Sequence, residues 1–234
     1  MRLQVFLSKA GVFSRRAAVG IVASGRITVN GQKVFKPSFS VDPEKDRIFF
    51  NGKRIAARKK VYIMLHKPKG VTSTKKDPFA TRTVMDLLPD RFFYLNPVGR
   101  LDKDTTGLIL LTNDGELINN LTHPRFNVDK TYAATLDKKL LGMDKIKIEK
   151  GIDLDGKYTA PCSIMLKSRK SVEITMREGR KRQIRRMFLN FGYKVVDLKR
   201  LKEGFLDLGA LAEGKWRFLT KKETDCFLNL INPQ

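Results

Sequence analysis

The chain has 234 residues, of which 41% are hydrophobic and 15 are Phe, and this apolar and aromatic content excludes a disordered basic tail. Lys and Arg number 47 against 24 Asp and Glu, so the formal net charge is +23 and a polyanion is the expected partner. No apolar run approaches the roughly 18 residues of a transmembrane helix, and charged residues interrupt Met1–Arg16, so we expect neither a membrane span nor a signal peptide.

The first predicted unit consists of two short helices followed by two hairpins. Apolar residues recur at helical spacing over Arg2–Ala10, and Ser14 is a favourable N-cap for a second helix over Arg15–Ala23. Two Asn-Gly dipeptides, at 30–31 and 51–52, are each flanked by strand-like sequence and predict type I′ hairpins. A unit of this kind can be a small subdomain that only packs against the rest of the protein. The distribution of its charges indicates whether it also binds a partner.

Those charges favour RNA binding by the N-terminal unit. Residues 1–58 carry 12 Lys and Arg against 3 Asp and Glu, a net +9, while residues 59–234 carry 35 against 21, a net +14. Arg15 and Arg16 open the second helix and Arg26 lies beside the first hairpin, where side chains and backbone N–H groups can meet phosphates. The unit has no large aromatic surface for stacking bases, which favours recognition of structured RNA by shape and charge.

The same sequence resembles a known module. The runs LQVFLSKAGVFSRRA at 3–17 and GRITVNGQKV at 25–34 are similar to the α-L, or S4-like, RNA-binding module. This resemblance implies binding to structured RNA. It does not imply catalysis, because the module occurs in ribosomal proteins, synthetases, stress proteins and modification enzymes alike.

A basic connector at 56–60 leads into a larger domain in which strands outnumber helices. Strands are expected at Val61–Leu65, Leu108–Thr112, Val128–Leu136, Ser171–Arg177 and Val195–Phe205, and helices over 115–121, 137–150, 181–191 and from a capping box at Thr220 to about Leu230. The order is not a strict βαβ alternation. We therefore predict an α+β protein, with a small helix–helix–hairpin RNA-binding domain at 1–58 and a domain at 59–234 whose mixed, largely antiparallel sheet is flanked by helices.

Elimination narrows the chemistry that the larger domain could perform. His66 and His123 are the only histidines, and Cys162 and Cys226 match no metal or disulfide spacing, so we expect no metal site and a reducing, cytoplasmic compartment. No glycine loop of the kind that holds ATP, a dinucleotide or a methyl donor is present. If the protein is an enzyme, a carboxylate, a Tyr and an Arg are the expected reactive groups, without a cofactor.

Asp102 is the leading carboxylate, because it lies in a turn-rich loop before a buried strand, where side chains can face a cleft. On position alone, Asp104 and Asp114 have equal standing, and an Asp in such a loop is more often a turn or cap residue. Tyr132 is equally consistent with a half-buried aromatic on a strand, and Arg185 with a solvated basic helix face.

A resemblance to a family of enzymes separates these alternatives. The run GRLDKDTTGLILLTNDG at 99–115 resembles the catalytic signature of ribosomal RNA pseudouridine synthases, in the branch that carries an N-terminal α-L module. Further matching segments are KPKGV at 67–71, KTY at 130–132, EGRKRQIRRMF at 178–188 and LGALAEGKWRFLT at 208–220. The resemblance spans nearly the whole chain, and its central motif is highly specific.

The resemblance implies a role for each matching residue. Asp102 corresponds to the essential aspartate, which either attacks the anomeric carbon of the ribose or acts as a base. Tyr132 corresponds to the tyrosine that stacks on the uracil and takes part in the final proton removal, and Arg185 to the basic partner of the aspartate. Arg100 corresponds to the residue that holds the flipped nucleotide, and Lys67 is taken as a further RNA contact. Arg182 stands where related synthases often have His.

The sequence thus predicts site-specific isomerisation of uridine to pseudouridine in ribosomal RNA by a cytoplasmic, monomeric enzyme that needs no cofactor. The main alternative is a non-catalytic ribosome-assembly factor that binds structured RNA. A methyltransferase would need a cofactor loop that the sequence lacks. The target uridine, the ribosomal subunit that carries it, and the choice between free RNA and an assembling particle stay open.

Overall fold

The computed structural model describes residues 1–56, 58–75 and 77–231, so Ala57 of the basic connector lies outside the described residues. Its contacts divide the chain into two units. The first unit comprises Met1–Val61 together with two later segments, Asp90–Leu95 and Thr112–Gly115; the second comprises Tyr62–Pro89, Asn96–Leu111 and the chain from Glu116 onward.

The first unit contains two helices and a four-stranded antiparallel sheet. Its elements are α1 (Leu3–Lys9), α2 (Arg15–Ala23), β1 (Ile27–Val29), β2 (Gln32–Val34), β3 (Ile48–Phe50) and β4 (Lys53–Ile55), with strand order β2-β1-β3-β4. The predicted cap of α2 is confirmed, because the Ser14 hydroxyl accepts a hydrogen bond from the N–H of Ala17 at 3.1 Å. Both Asn-Gly pairs have positive φ at their two residues, as type I′ hairpins require.

The two later segments pack inside the first unit. The Arg58 guanidinium lies 4.3 Å from the centre of the Tyr94 ring, and its Nε donates to the carbonyl oxygen of Ala10 at 2.9 Å. Lys60 forms an ion pair of 2.8 Å with Asp114, whose side chain is fully buried. Through Tyr94 and Asp114, the two later segments therefore join a unit whose main part precedes residue 62.

Most of the remaining elements belong to the second unit. They are β5 (Tyr62–Lys67), β6 (Asn96–Val98), β7 (Thr106–Thr112), α3 (Gly115–Thr122), β8 (Lys130–Leu136), α4 (Gly142–Lys150), β9 (Ser163–Leu166), β10 (Ser171–Met176), α5 (Gln183–Leu189), β11 (Val195–Glu203), β12 (Leu206–Asp207), β13 (Trp216–Phe218) and α6 (Lys221–Ile231). Short 3-10 turns lie at Val84–Leu87, Asp90–Phe92 and Pro124–Phe126.

The strands of the second unit form one mixed sheet. Its order is β13-β5-β7-β11-β8-β10-β9, with β6 beside β7 and β12 beside β11. β7 and β11 run parallel, whereas β11/β8, β8/β10, β10/β9 and β5/β13 are antiparallel. Leu108 and Leu110 of β7 pack with Leu117 and Leu121 of α3 and Phe227 of α6 in its core. The predicted α+β class with a mixed sheet is confirmed.

Some boundaries differ from the sequence prediction for local reasons. The helix expected at 181–191 begins only at Gln183, because Arg182 has a left-handed backbone with φ +51°. The strand expected to run to Phe205 ends at Glu203, since Gly204 with φ +58° turns the chain into β12. No helix in the described residues is long and apolar enough to cross a membrane.

Candidate active site

One cleft in the second unit brings together three residues predicted for the site. Arg100 and Asp102 come from the loop between β6 and β7, and Tyr132 comes from β8. Ile184 of α5 and Leu198 of β11 add apolar walls to the cleft. The cleft therefore combines a carboxylate, an aromatic ring and a cation, which are the three groups that the sequence indicated.

Short hydrogen bonds hold the loop that carries Asp102. The buried Ser73 hydroxyl is bonded to both the N–H and the carbonyl oxygen of Leu101, the residue before Asp102. The Asp102 carbonyl oxygen accepts from the N–H of Thr105 at 3.0 Å, and the Lys103 carbonyl oxygen accepts from the N–H of Gly70 at 2.8 Å. Hydrogen bonds thus hold the backbone on both sides of Asp102.

Lys67 is the first site residue whose predicted role needs correction. It is fully buried, so it cannot be a direct RNA contact in this structure. Its ammonium donates to the carbonyl oxygen of Pro68 at 2.9 Å and lies 3.5 Å from that of Lys103. Burial lowers the pKa of Lys67 to about 8, against the opposing charges of Asp104 and Asp102. Lys67 supports the Asp102 loop from inside the protein.

Arg185 is the second correction, because its ion pair is not with Asp102. Its Nε lies 3.3 Å from the Asp104 carboxylate, its Nη2 donates to the Asp104 carbonyl oxygen at 3.1 Å, and its Nη1 donates to that of Val195 at 2.7 Å. Arg182 binds the same carboxylate at 3.0 and 3.1 Å. Among the described residues, no cation lies within ion-pair distance of the Asp102 carboxylate. The local sequence could not separate Asp102 from Asp104 as the partner, since they lie two residues apart.

Tyr132 is buried on β8 and faces Arg200 across the strand pair. Burial raises the pKa of the Tyr132 hydroxyl; the neighbouring Arg200 guanidinium opposes this shift, and the charges of Glu203 and Asp102 add to it. Arg200 is itself fully buried, donates from Nε to the carbonyl oxygen of Leu108 at 2.7 Å and pairs with Glu203 at 3.3 Å. The hydroxyl therefore stays protonated at neutral pH.

Gly107 allows β7 and β11 to approach each other behind the cleft. A Cβ at this position would lie 2.2 Å from the carbonyl oxygen of Arg200, and φ is +109°, a backbone conformation that favours glycine. β7 is paired with β11 through Gly107 and Arg200. The glycine of the family signature thus permits the close contact between β7 and the Arg200 backbone.

The loop between β10 and α5 forms a basic wall of the cleft. The sequence matched the family in this segment but did not predict such a wall. Arg180 donates to the carbonyl oxygens of Lys157 and Tyr158, the former at 2.8 Å. The Glu178 carboxylate accepts from the N–H of Ala160 at 2.9 Å and from the Gln183 side chain. Arg200, Glu203 and Glu178 were not predicted as site residues, because only strand register and loop closure bring them to the cleft.

Three of the arginines predicted to bind RNA lie in the first unit. Arg15, Arg16 and Arg26 are exposed, and the guanidinium of Arg26 lies 4.6 Å from the centre of the Phe50 ring. The described part of the chain contains no group of three or more His, Cys, Asp or Glu side chains placed to hold a metal ion.

Comparison with known proteins identifies the family. The model of the RNA pseudouridylate synthase family matches residues 61–190, and that of the S4 domain matches residues 1–48. The ribosomal large subunit pseudouridine synthase B of Bacillus subtilis is 40% identical over 235 residues, which cover 95% of this chain and 93% of that protein. An uncharacterized RNA pseudouridine synthase of Aquifex aeolicus is 39% identical, with 95% of this chain and 92% of that protein covered.

Solved structures agree with this result. A crystal structure of a pseudouridylate synthase matches with a TM-score of 0.71 and 31% identity, and the match covers 97% of this chain and 99% of that one. The chain belongs to the RNA pseudouridylate synthase family. It is an RNA-binding enzyme that isomerises uridine to pseudouridine in RNA, and nothing in the comparisons favours the non-catalytic alternative.

Proposed function

We propose that this enzyme modifies a specific uridine of ribosomal RNA and that Asp102 carries the reaction. The observation on which the proposal rests is the meeting of Asp102 and Tyr132 in one cleft. The name of the Bacillus subtilis relative, a ribosomal large subunit pseudouridine synthase, supports ribosomal RNA as the substrate class.

The proposed reaction is an isomerisation, so no atom is gained overall. The bond between uracil N1 and ribose C1′ breaks, the uracil rotates, a bond forms between C5 and C1′, and the proton on C5 is lost while N1 gains one. Asp102 begins the reaction either as a nucleophile at C1′ or as a base, and both routes need its carboxylate ionised. We propose that the Tyr132 ring stacks on the uracil and that Tyr132 takes part in the final proton removal, as the family resemblance implies; burial raises the pKa of its hydroxyl.

Two arginines have different proposed tasks in the second unit. Arg100 is exposed at the edge of the cleft, where its charge can hold the backbone of the flipped nucleotide. Flipping a nucleotide costs a few kcal/mol, which contacts of this kind can offset. Arg185 acts through the Asp104 loop as a positioning residue, because its Nη2 donates to the Asp104 carbonyl oxygen and its Nη1 donates to that of Val195.

We further propose that residues 1–58 dock on structured RNA and that residues 59–234 carry the catalytic site. The exposed Arg15, Arg16 and Arg26 are the proposed phosphate contacts of the module. We expect the enzyme to act as a monomer in the cytoplasm, on ribosomal RNA that is free or in an assembling subunit.

The decisive experiment is the substitution Asp102→Asn, with pseudouridine formation measured as tritium release from ribosomal RNA labelled at uracil C5. The variant is expected to release no tritium above background, because it lacks the reactive carboxylate. Its Kd for RNA should lie within about threefold of the wild-type value, because Asn has nearly the same shape as Asp and the basic residues are unchanged. Asp225→Asn, an exposed change on α6, is the matched control. Full tritium release by Asp102→Asn would refute the assignment of Asp102.

A further inference from the structure

Four side chains form a cluster next to the active-site cleft because of a bulge in β11. Tyr132 and Lys130 are two residues apart on β8 and so point to the same face of the sheet. On β11, Arg200 lies opposite Tyr132 and Glu203 lies opposite Lys130, although Arg200 and Glu203 are three residues apart. The register shift between Arg200 and Lys202 supplies the extra residue that turns both side chains to the same face.

The cluster carries a net positive charge, because it contains two cations, Lys130 and Arg200, and one carboxylate, Glu203. Glu203 is its only carboxylate and already pairs with Arg200 at 3.3 Å. The Lys130 ammonium makes a long contact of 3.3 Å with the carbonyl oxygen of Val128 and has no carboxylate within ion-pair distance in the described structure. The buried Nη2 of Arg200 makes this ion pair with Glu203 but no hydrogen bond of good geometry among the described atoms. A largely buried cluster of this kind favours an incoming anion.

A second cavity opens on this cluster and joins the active-site cleft. Arg100, Tyr132 and Arg180 line both spaces. The second cavity is also lined by residues that do not line the cleft, namely Lys130, Lys157, Arg177, Arg200 and Glu203. Among the described residues of its wall, Glu178 is the only other carboxylate, and it is occupied by Ala160, Gln183 and Arg180. The cavity is therefore strongly cationic and connects directly to the proposed position of the uracil.

We propose that this second cavity is a phosphate subsite in which Lys130 binds a phosphodiester of the RNA next to the flipped nucleotide. The identity of the ligand rests on the proposed function; the anion site itself rests on the cluster. Positions i and i+2 of a strand are about 6.7 Å apart. A base stacked on Tyr132 thus places the adjoining sugar-phosphate backbone within reach of the Lys130 side chain. The Arg200–Glu203 pair lies beneath and keeps the local charge positive.

The test is the dependence of RNA binding on salt for the substitution Lys130→Met. Dissociation constants for unmodified ribosomal RNA transcripts are measured at several salt concentrations by filter binding, which does not require turnover. Loss of one phosphate contact is expected to raise Kd about tenfold and to reduce the slope of log K against log salt by about 0.7–1. Lys130→Arg keeps the charge and should keep the wild-type slope.

Lys202→Met is the matched control, because Lys202 is exposed on the same strand pair, already pairs with Asp207 at 3.1 Å and does not line the cavity. Its slope should equal that of the wild type. An unchanged slope in folded Lys130→Met, verified by circular dichroism, would overturn the subsite. So would a fall in kcat at unchanged Kd, which would make Lys130 a support for Tyr132 alone. If Lys130→Met does not fold, a wild-type slope in Lys130→Gln overturns the proposal equally.

A second arm locates the phosphate. Short RNAs that contain the target uridine are prepared. In each RNA, one phosphodiester that flanks this uridine is replaced by an uncharged methylphosphonate. One linkage should weaken binding to the wild type about as much as Lys130→Met does, and the two changes together should cause no further loss. Additive losses at every linkage would overturn the assignment to Lys130. An inactive wild-type enzyme would instead contradict the proposed function, and the binding results would still decide the subsite.

Discussion

The Ser73 hydroxyl donates a hydrogen bond to the carbonyl oxygen of Leu101 at 2.8 Å and accepts one from the N–H of the same residue at 3.1 Å. A single buried side chain therefore satisfies both backbone groups of the residue that precedes Asp102. This relationship makes the position of Asp102 depend on a residue 29 positions earlier in the chain.

The substitution Ser73→Ala is expected to lower kcat for pseudouridine formation by about tenfold and stability by about 1–3 kcal/mol, because two buried backbone groups lose their partner. Steady-state tritium release and urea unfolding measure the two effects. Ser168→Ala is the control, since that hydroxyl accepts from the N–H of Ser171 on the surface. Wild-type kcat in Ser73→Ala would show that the other bonds of the loop suffice.

The substitution Gly107→Ala is expected to destabilise the protein by more than about 3 kcal/mol, because the new Cβ would collide with the Arg200 backbone at an unfavourable φ. Thermal unfolding would show a large fall in Tm or insoluble protein. Gly142→Ala is the matched control, with no atom within 4 Å of the new Cβ and a helical position in α4. It should be neutral or stabilising by up to about 1 kcal/mol.

The arginines that share Asp104 should differ in importance. Arg185→Gln is expected to cost about 1–3 kcal/mol of stability and to reduce kcat, because its side chain also holds the Val195 carbonyl. Arg182 is 45% exposed, so Arg182→Gln should change stability by about 0.5 kcal/mol or less. Urea titrations of both variants provide the comparison, and equal losses would contradict it.

Glu223 predicts an acid-dependent part of the stability. Its pKa is lowered to about 2, first by hydrogen bonds from the Arg217 side chain and also by the hydrogen bond from the backbone N–H of Thr220. A carboxyl with a depressed folded pKa stabilises the protein above its unfolded pKa, near 4.5, and this contribution is lost as the pH falls towards 2.

Glu223→Gln should therefore be about 1–2 kcal/mol less stable than the wild type at pH 7, after allowance for the screening of a partly exposed pair. The difference should shrink between pH 4.5 and 2. Urea unfolding over this range measures it, with Asp225→Asn as the control. A difference that stays constant with pH would assign the loss to packing alone.

Local signals predicted the first unit closely. The cap at Ser14, the extent of α2 and both Asn-Gly hairpins depend on residues adjacent in sequence, and all three are confirmed. The capping box of the last helix is also present, with Glu223 and Thr220 each bonded to the other's backbone. By contrast, β9 escaped prediction, because it is an edge strand with exposed Met165 and Leu166 and lacks an alternating pattern.

The site was predictable where the family signature names a residue and unpredictable where partners are set by register. The resemblance indicated Asp102, Tyr132 and Arg100, which share one cleft. It could not show that Lys67 is buried or that Arg185 pairs with Asp104, since both outcomes depend on how distant segments pack. The charge cluster around Arg200 required a bulge that no local pattern reveals.

The first unit is built from three separate segments of the chain, and this affects when it can fold during synthesis. Arg58 and Lys60 find their partners, Tyr94 and Asp114, only in segments made later. The N-terminal unit therefore cannot reach its final packing as soon as its own helices and hairpins leave the ribosome. It is completed only when the chain has passed Gly115, after the loop of Asp102 has also been made. The segments that complete the first unit and the loop of Asp102 are thus synthesised within one short stretch, between residues 90 and 115.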